Sequence, residues 1–174
     1  MWLQMQLEAL GQFLDKGGPV LLWLGVLAFI LWTLVFERVW YFQTAVKSDM
    51  KATVDNWEAR NERTSWEAHQ IREMLVSQVR QKIFSSLPMV ATLVALAPLM
   101  GLLGTVTGMI DVFHTLAVTG GGDAKAMAGG VAKATLPTMA GMVIAISGVF
   151  AKSYLERKAE VTTKLLEDHL TMDH

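Results

Sequence analysis

The sequence predicts an all-α membrane protein with three transmembrane helices and long cytoplasmic helical extensions. Its composition is the first observation, because 52% of the 174 residues are hydrophobic, 18% are charged and the mean hydropathy is +0.36, a balance typical of membrane proteins. The second observation is the presence of three long apolar stretches, over residues 17–36, 83–110 and 126–151. About 20 helical residues cross a bilayer core, so each stretch is long enough to span it.

The composition also excludes several functions. The formal net charge of −1 and the pI near 6.4 provide no basic field for nucleic acid. Cysteine is absent from the sequence, which excludes disulfides, thiolate metal sites and a cysteine nucleophile. The histidines lack metal-ligand spacing, and the apolar stretches contain no catalytic dyad. We therefore expect no metal, no cofactor and no enzymatic activity. The histidines are His69, His114, His169 and His174.

The first predicted membrane element is a transmembrane helix over residues 17–41, which follows an amphipathic N-terminal segment over residues 1–16. That segment contains Glu8 and Asp15 and lacks the basic n-region of a signal peptide. We therefore expect the helix to stay in the mature protein. Trp40 lies at the end of this helix, where an indole ring suits the headgroup region of the bilayer.

A helical hairpin is predicted for residues 42–82, because apolar residues recur there at helical spacing in two stripes. A break near residues 61–65 separates its two arms. The second arm leads into a second transmembrane helix over residues 83–112, in which prolines are expected to kink the helix or to start it afresh. The first stripe is Met50, Val54 and Trp57, the second is Ile71, Met74, Leu75, Gln78 and Val79, and the prolines are Pro88 and Pro98.

The remaining elements are a loop, a third transmembrane helix and a C-terminal helix. The loop, over residues 113–125, contains the flexible connector GGGDAK. The third transmembrane helix is predicted over residues 126–151 and the C-terminal helix over residues 152–174. We expect the third helix to continue well beyond the bilayer, because helical spacing of its less polar residues persists to the end. Those residues are Leu155, Ala159, Thr162, Leu166 and Leu170.

The distribution of lysine and arginine predicts the orientation in the membrane. Most of them fall within residues 38–82 or after the third span, and the rule that positive loops stay inside places both segments in the cytoplasm. The N-terminus and the 113–125 loop are then periplasmic. The basic residues concerned are Arg38, Lys47, Lys51, Arg60, Arg63, Arg72, Arg80 and Lys82, followed by Lys152, Arg157, Lys158 and Lys164.

Small residues recur at intervals of three and four on the second and third helices. Helices in lipid associate by close packing, so a stripe of small side chains indicates a close helix contact. Two explanations stay open: the two helices pack against each other within one subunit, or they line the interior of an oligomer. The stripes are Ala97, Gly101, Gly104 and Gly108 on the second helix, and Ala134, Thr138, Gly141, Ala145 and Gly148 on the third.

Two threonines place hydroxyl groups at these stripes, Thr105 beside the first and Thr138 within the second. Each could relay a proton or bind an ion, or it could bond to a carbonyl four residues earlier in its own helix. The three apolar stretches contain no Asp or Glu, although a proton path through a membrane normally needs an ionisable group. Lys133 is the one charged residue within them, and it either snorkels to the headgroups or lines a wet cavity.

Two stretches, APLMGLLGTVTGMIDVF at 97–113 and GGVAKATLPTMAGMVIAISG at 129–148, resemble the MotA/TolQ/ExbB proton-channel family of bacterial inner membranes. The resemblance is strongest to its ExbB branch, in a short variety serving an alternative TonB system. It implies a homopentamer whose second and third helices line a central cavity. It also implies an ExbD-like single-span partner with an intramembrane Asp, a TonB-like protein, and proton flow that energises uptake of iron–siderophores, haem or cobalamin.

By the same resemblance, Thr105 and Thr138 match the threonines that face the Asp of ExbD, and the two small-residue stripes form smooth faces against which its helix turns. The chain departs from the family pattern at two positions. Lys133 stands where ExbB and TolQ usually carry a glutamate, and a cation there would repel a passing hydronium. We expect Lys133 to pair with an acidic residue of the partner instead. Pro137 directly precedes Thr138 and is expected to kink the third helix.

Two alternative functions stay open at this point. The first is TolQ-like service to the integrity of the cell envelope. The second is a non-conducting scaffold that stabilises TonB-type and ExbD-type partners. A flagellar stator is disfavoured, because its contact with a rotor normally needs a larger, highly charged cytoplasmic domain than the 42–82 segment provides. Membrane lipids are the remaining expected partner.

Overall fold

The computed structural model describes residues 2–60, 62, 65–120 and 124–170, and these form five helices without a strand. The all-α prediction is confirmed for this part of the chain. Three stretches are long and apolar enough to cross a membrane, Gly18–Gln43, Trp66–Val118 and Met127–His169. Each overlaps one of the three apolar stretches identified in the sequence, so the prediction of a three-span membrane protein is also supported.

The first helix, α1, spans Trp2–Gln43 and is interrupted by a kink at Gly18. Gly18 has a φ of 68°, a conformation that glycine adopts without strain. Pro19 follows it and has no N–H to lose, so it suits the first turn of the helix that starts there. The boundary predicted between residues 16 and 17 lies close to this kink. Most side chains of the predicted amphipathic segment 1–16 lie outside the described residues.

The predicted hairpin segment contains two helices, α2 over Ala45–Glu58 and α3 over Trp66–Phe84. Ser65 caps α3, because its Oγ accepts a hydrogen bond of 3.1 Å from the N–H of Ala68. Residues 61, 63 and 64 of the predicted break lie outside the described part of the chain.

The fourth helix, α4, spans Leu87–Thr119 and contains Pro98, and the fifth, α5, spans Ala124–His169 and contains Pro137. The second transmembrane helix therefore starts afresh one residue before Pro88. Further along, α4 continues through Pro98 and α5 continues through Pro137. The loop predicted from residue 113 begins later, because residues 113–119 contain no glycine or proline and α4 continues until Gly120, which has a φ of 75°. Residues 121–123 of the GGGDAK connector lie outside the described residues.

The chain divides into two compact units. The first comprises Met1–Trp32 and Thr92–Val149, and the second comprises Thr33–Ala91 and Phe150–His174. In the first unit, Leu27, Ala97 and Ala145 form a buried cluster against which Leu93, Met100 and Ile144 pack. In the second unit, the largest buried side chain is Trp57, which is 1% exposed.

Candidate functional site

Within the first unit, α4 and α5 approach each other so closely that their glycines have no room for a side chain. A Cβ added at Gly101 would lie 2.8 Å from the carbonyl oxygen of Pro137 and 2.9 Å from the Cα of Thr138. A Cβ at Gly141 would lie 3.2 Å from both the carbonyl carbon of Ala97 and the Cα of Gly101. These contacts involve backbone atoms, which cannot move aside as a flexible side chain can.

The same close approach continues along both helices. A Cβ added at Gly104 would overlap the Pro137 ring, and one at Gly108 would lie 2.8 Å from the Cβ of Ala134. Further along, a Cβ at Gly148 would lie 2.6 Å from a methyl carbon of Val94. Small side chains at these positions are therefore required by the packing of α4 on α5.

The two small-residue stripes thus contact each other within one chain, as in the first of the two explanations given for them. Ala97, Ala134 and Ala145 are buried in this contact, at 0%, 4% and 8% exposure. Within one chain each stripe therefore contacts the other helix, and the expectation that a partner's helix turns against the stripes stays a prediction. Thr105 and Thr138, in contrast, are only half-buried.

Thr105 and Thr138 lie directly opposite each other and their hydroxyl groups are hydrogen bonded. The Thr138 hydroxyl also donates to the carbonyl oxygen of Gly101 at 3.0 Å, across the contact between the helices. Thr105 lies 3.4 Å from the same carbonyl oxygen, four residues earlier in its own helix. When Thr138 donates to the Gly101 carbonyl, the Thr105 hydroxyl donates to Thr138, and its own back-bond to Gly101, at 3.4 Å, is the weaker alternative.

The number of hydrogen bonds that this threonine pair can donate is limited by its hydroxyl hydrogens. Two hydroxyl groups supply two hydrogens, and the contacts with each other and with the Gly101 carbonyl use both. The pair therefore presents oxygen lone pairs to an approaching group unless one hydroxyl rotates. Such a pair accepts a hydrogen bond from a protonated carboxyl group, and after rotation it donates to a carboxylate.

Two residues that precede Thr138 on α5, Pro137 and Lys133, bear on this pair. Pro137 is fully buried, and because it has no N–H it cannot bond to the carbonyl of Lys133, four residues earlier. Lys133 itself is exposed in the single chain. Its ammonium group is thus available to a membrane, to water or to another chain. The kinks predicted at Pro98 and Pro137 stay predictions.

A buried arginine in the second unit was not singled out from the sequence, where it was counted only among the basic residues. Arg38 is 6% exposed, and its guanidinium donates to the carbonyl oxygen of Lys82 at 3.1 Å and to the hydroxyl of Ser85 at 2.6 Å. It also bonds to the hydroxyl of Ser86. The signal that could have found it is its spacing with Val35 and two further apolar residues of the same buried face, Phe42 and Val46.

Comparison with known proteins shows the family to which this chain belongs. Residues 42–168 match the family model described as the MotA/TolQ/ExbB proton channel family. The chain belongs to this family. The match covers α2, α3, α4 and nearly all of α5, and it includes the contact between α4 and α5 that carries the two threonines.

Individual relatives show the same family. The chain is 31% identical over 169 residues to a Synechocystis protein named biopolymer transport protein ExbB-like 1, in a match covering 79% of this chain and 66% of the relative. It is 29% identical over 141 residues to the biopolymer transport protein ExbB of Helicobacter pylori, covering 81% of each. The Tol-Pal system protein TolQ of Pseudomonas aeruginosa is 33% identical over 86 residues, covering 49% of this chain and 37% of the relative.

Proposed function

We propose that this chain is an inner-membrane proton-channel and motor subunit. With an ExbD-like partner, it converts the proton motive force into mechanical energisation of TonB-dependent uptake through the outer membrane, of iron–siderophores, haem or cobalamin. Family membership supports the proton channel, and the ExbB names of the relatives support the TonB type of system.

The observation that carries this proposal is the hydroxyl pair of Thr105 and Thr138 in a membrane protein whose apolar stretches contain no carboxylate. A proton carrier in the low-dielectric core is normally an ionisable side chain. The partner's intramembrane Asp supplies that group, and the threonine pair meets it at the edge of the α4–α5 contact. The hydroxyls accept from the protonated carboxyl and, after rotation, donate to the ionised one, so both states of the carrier find a partner.

The assembly we propose is a homopentamer around one or more ExbD-like helices, with a TonB-like protein as the recipient of the motion. The N-terminus lies in the periplasm and the C-terminus in the cytoplasm, as the distribution of basic residues favours. Protons are the coupling ion, and no other cofactor takes part. Lipids of the inner membrane cover the outer apolar surface.

The test is proton flux through the complex reconstituted in liposomes with the ExbD-like partner. Thr105→Val removes a hydroxyl at nearly constant volume, and we expect it to reduce flux by about 100-fold or more, the size of effect found when a positioned proton-transfer group is removed. Thr107→Val is the matched control, because Thr107 is exposed and bonds to the carbonyl of Leu103 in its own helix at 3.0 Å. Thr105→Ser keeps the hydroxyl and should keep the flux.

The same experiment separates the channel from a non-conducting scaffold. A scaffold would assemble with its partners and support uptake equally well with Thr105→Val, whereas a channel subunit would assemble normally and lose both flux and uptake. Unchanged flux in Thr105→Val and Thr138→Val complexes of normal composition would refute the role proposed for the threonine pair.

TolQ-like service to envelope integrity is the second candidate, and the similarity to the TolQ protein of Pseudomonas aeruginosa favours considering it. Two growth assays distinguish the systems. An ExbB-type subunit restores growth on a siderophore or haem as the iron source, whereas a TolQ-type subunit restores resistance to detergents. We expect rescue in the first assay only.

A further inference from the structure

A polar pocket in the second unit lies at the end of the first apolar helix. It has a volume of about 600 Å³, within the range of small-molecule sites. Its lining includes two acidic and two basic side chains, namely Glu37, Asp49, Arg38 and Lys82. The pocket therefore carries charges of both signs and no net charge.

These four charged groups differ in how many of their hydrogen-bonding atoms already have a partner within the protein. The two terminal nitrogens of Arg38 donate to the carbonyl of Lys82 and to serine hydroxyls, whereas its buried Nε makes no hydrogen bond. Asp49 accepts a hydrogen bond of 3.0 Å from the hydroxyl of Tyr41. Glu37 and Lys82 are the open ones, because their side chains are 54% and 63% exposed.

The open pair also has capacity for a ligand. The ammonium of Lys82 lies 3.7 Å from the carboxylate of Asp49, which is an ion pair beyond hydrogen-bond length. One carboxylate oxygen of Glu37 lies 3.5 Å from Arg38, which leaves the other oxygen for a second donor. Lys82 can thus donate to an anionic oxygen, and Glu37 can accept from a primary ammonium.

The surroundings of the pocket indicate where such a ligand comes from. Glu37 lies within the candidate membrane span Gly18–Gln43, near its polar end. Phe36 and Trp40 lie one helical turn apart beside it on α1, and they are 66% and 72% exposed. Large exposed aromatic side chains next to a polar group are typical of the boundary between acyl chains and headgroups.

We infer that this pocket binds the phosphoethanolamine headgroup of a membrane lipid, with its phosphate at Lys82 and its ammonium at Glu37. A zwitterionic headgroup leaves the pocket neutral, whereas an anionic lipid would add a negative charge beside Glu37 and Asp49. A choline headgroup is also zwitterionic, but its quaternary nitrogen has no N–H to donate to the Glu37 carboxylate. This site is separate from the threonine pair and does not depend on the proton-channel proposal.

The test is native mass spectrometry of the full-length protein in detergent with equimolar palmitoyl-oleoyl lipids carrying ethanolamine, glycerol or choline headgroups. We expect the phosphatidylethanolamine adduct to exceed each of the others by about threefold, as one exposed ion pair provides. Equal retention of the three lipids, or a preference for phosphatidylglycerol, overturns the proposal without any variant being needed. Glycerophosphoethanolamine in large excess should not displace the lipid, and displacement would assign the site to a soluble phosphoester instead.

Variants locate the site. Glu37→Gln should lower the phosphatidylethanolamine adduct to the level of phosphatidylcholine and leave phosphatidylcholine unchanged, whereas Lys82→Gln should lower all three adducts. Glu73→Gln and Lys51→Gln are the matched controls, because both residues are exposed and lie outside the pocket. An unchanged preference for phosphatidylethanolamine in Glu37→Gln would overturn the assignment.

Discussion

At the scale of single residues, the glycines of α4 are explained by the backbone they touch. Gly101 shows this best, because the atoms nearest to an added Cβ are the carbonyl oxygen of Pro137 and the Cα of Thr138. Neither atom can move without separating the two helices. The same separation would break the hydrogen bond from Thr138 to the Gly101 carbonyl. Both the stability of the helix contact and the geometry of the threonine pair therefore require a glycine at position 101.

Gly101→Ala is therefore expected to destabilise the protein by about 1–3 kcal/mol, the range found for overpacking of a filled site. The measurement is the unfolding midpoint in detergent, followed by the loss of helical circular dichroism. Gly25→Ala is the matched control, because an added Cβ at Gly25 meets nothing within 4 Å and alanine favours the helix. Equal midpoints for the two variants would contradict the packing described for α4 and α5.

Lys133 is the one charged residue within the three apolar stretches, and its exposed ammonium needs a partner when it lies in a membrane. We expect Lys133→Ala to weaken binding of the ExbD-like partner by about 30-fold or more, because removing one charge of a desolvated pair leaves the other unpaired. Lys133→Arg keeps the charge and should keep most of the affinity. If Lys133→Ala leaves both partner binding and energised uptake intact, the pairing is wrong.

At the scale of the helices, two buried or half-buried arginines fix helix ends in the second unit. Arg38 holds the break between α3 and α4, because it bonds to the last turn of α3 and to the serines that follow. Arg72 holds the end of α5, where its Nε donates to the carbonyl of Leu170 at 2.6 Å and a second nitrogen donates to that of Glu167 at 2.8 Å. A cation at a helix C-terminus also complements the helix dipole.

Arg72→Ala should fray the last turn of α5, at a cost of about 1.5–3 kcal/mol for the lost charged hydrogen bonds. Hydrogen exchange of residues 160–170 measures this directly. Arg72→Lys keeps the charge but not the two-pronged geometry, so an intermediate exchange rate is expected. Arg157→Ala controls for the loss of a positive charge, because Arg157 is exposed on α5. Equal exchange in the Arg72→Ala and Arg157→Ala proteins would contradict the capping role.

Arg38→Met should have a larger effect, because Arg38 is buried and its removal leaves the serine hydroxyls and the Lys82 carbonyl without this donor. We expect a loss of about 3 kcal/mol, the upper end of the range for hydrogen bonds made by a charged group, because several acceptors lose their donor together. Chemical unfolding in mixed micelles measures the difference. Arg80→Met is the comparison variant, because Arg80 is exposed and packs over the Phe84 ring at 5.7 Å. A similar small loss in both variants would show that Arg38 does not hold the break.

The helices show which features a sequence can predict. The three apolar stretches were predictable because the hydropathy of about 20 successive residues sets the cost of crossing a bilayer. The close approach of α4 and α5 was predictable from the spacing of small residues, but spacing does not say which surface covers a stripe, and here Gly101 is covered by the chain's own Pro137. The sequence did not predict the burial of Arg38, because the basic residues were only counted to find the orientation. The position of Arg38 on the apolar face of its helix was not considered.

At the scale of the whole molecule, a single chain leaves a large apolar surface uncovered. In the first unit, Phe29 is 74% exposed and Leu99 is 61% exposed, and Val143 on α5 is 62% exposed. Such a surface is unfavourable in water, so lipid or further copies of the chain must cover it. Because the small-residue stripes are used within the subunit, contacts between subunits would have to use these larger side chains.

Native mass spectrometry of the chain co-expressed with an ExbD-like single-span protein tests this assembly. We expect five copies that retain the partner, as the proposed homopentamer around an ExbD-like helix requires. Leu99→Glu places a charge on the exposed apolar face of α4 without touching the α4–α5 contact, and it should shift the population toward smaller oligomers if that face lies between subunits. Leu116→Glu near the end of α4 is the comparison, because it adds the same charge close to the polar connector. A monomer or a partner-free dimer, stable in several mild detergents, would contradict the pentamer and would leave the threonine pair without the carrier proposed for it.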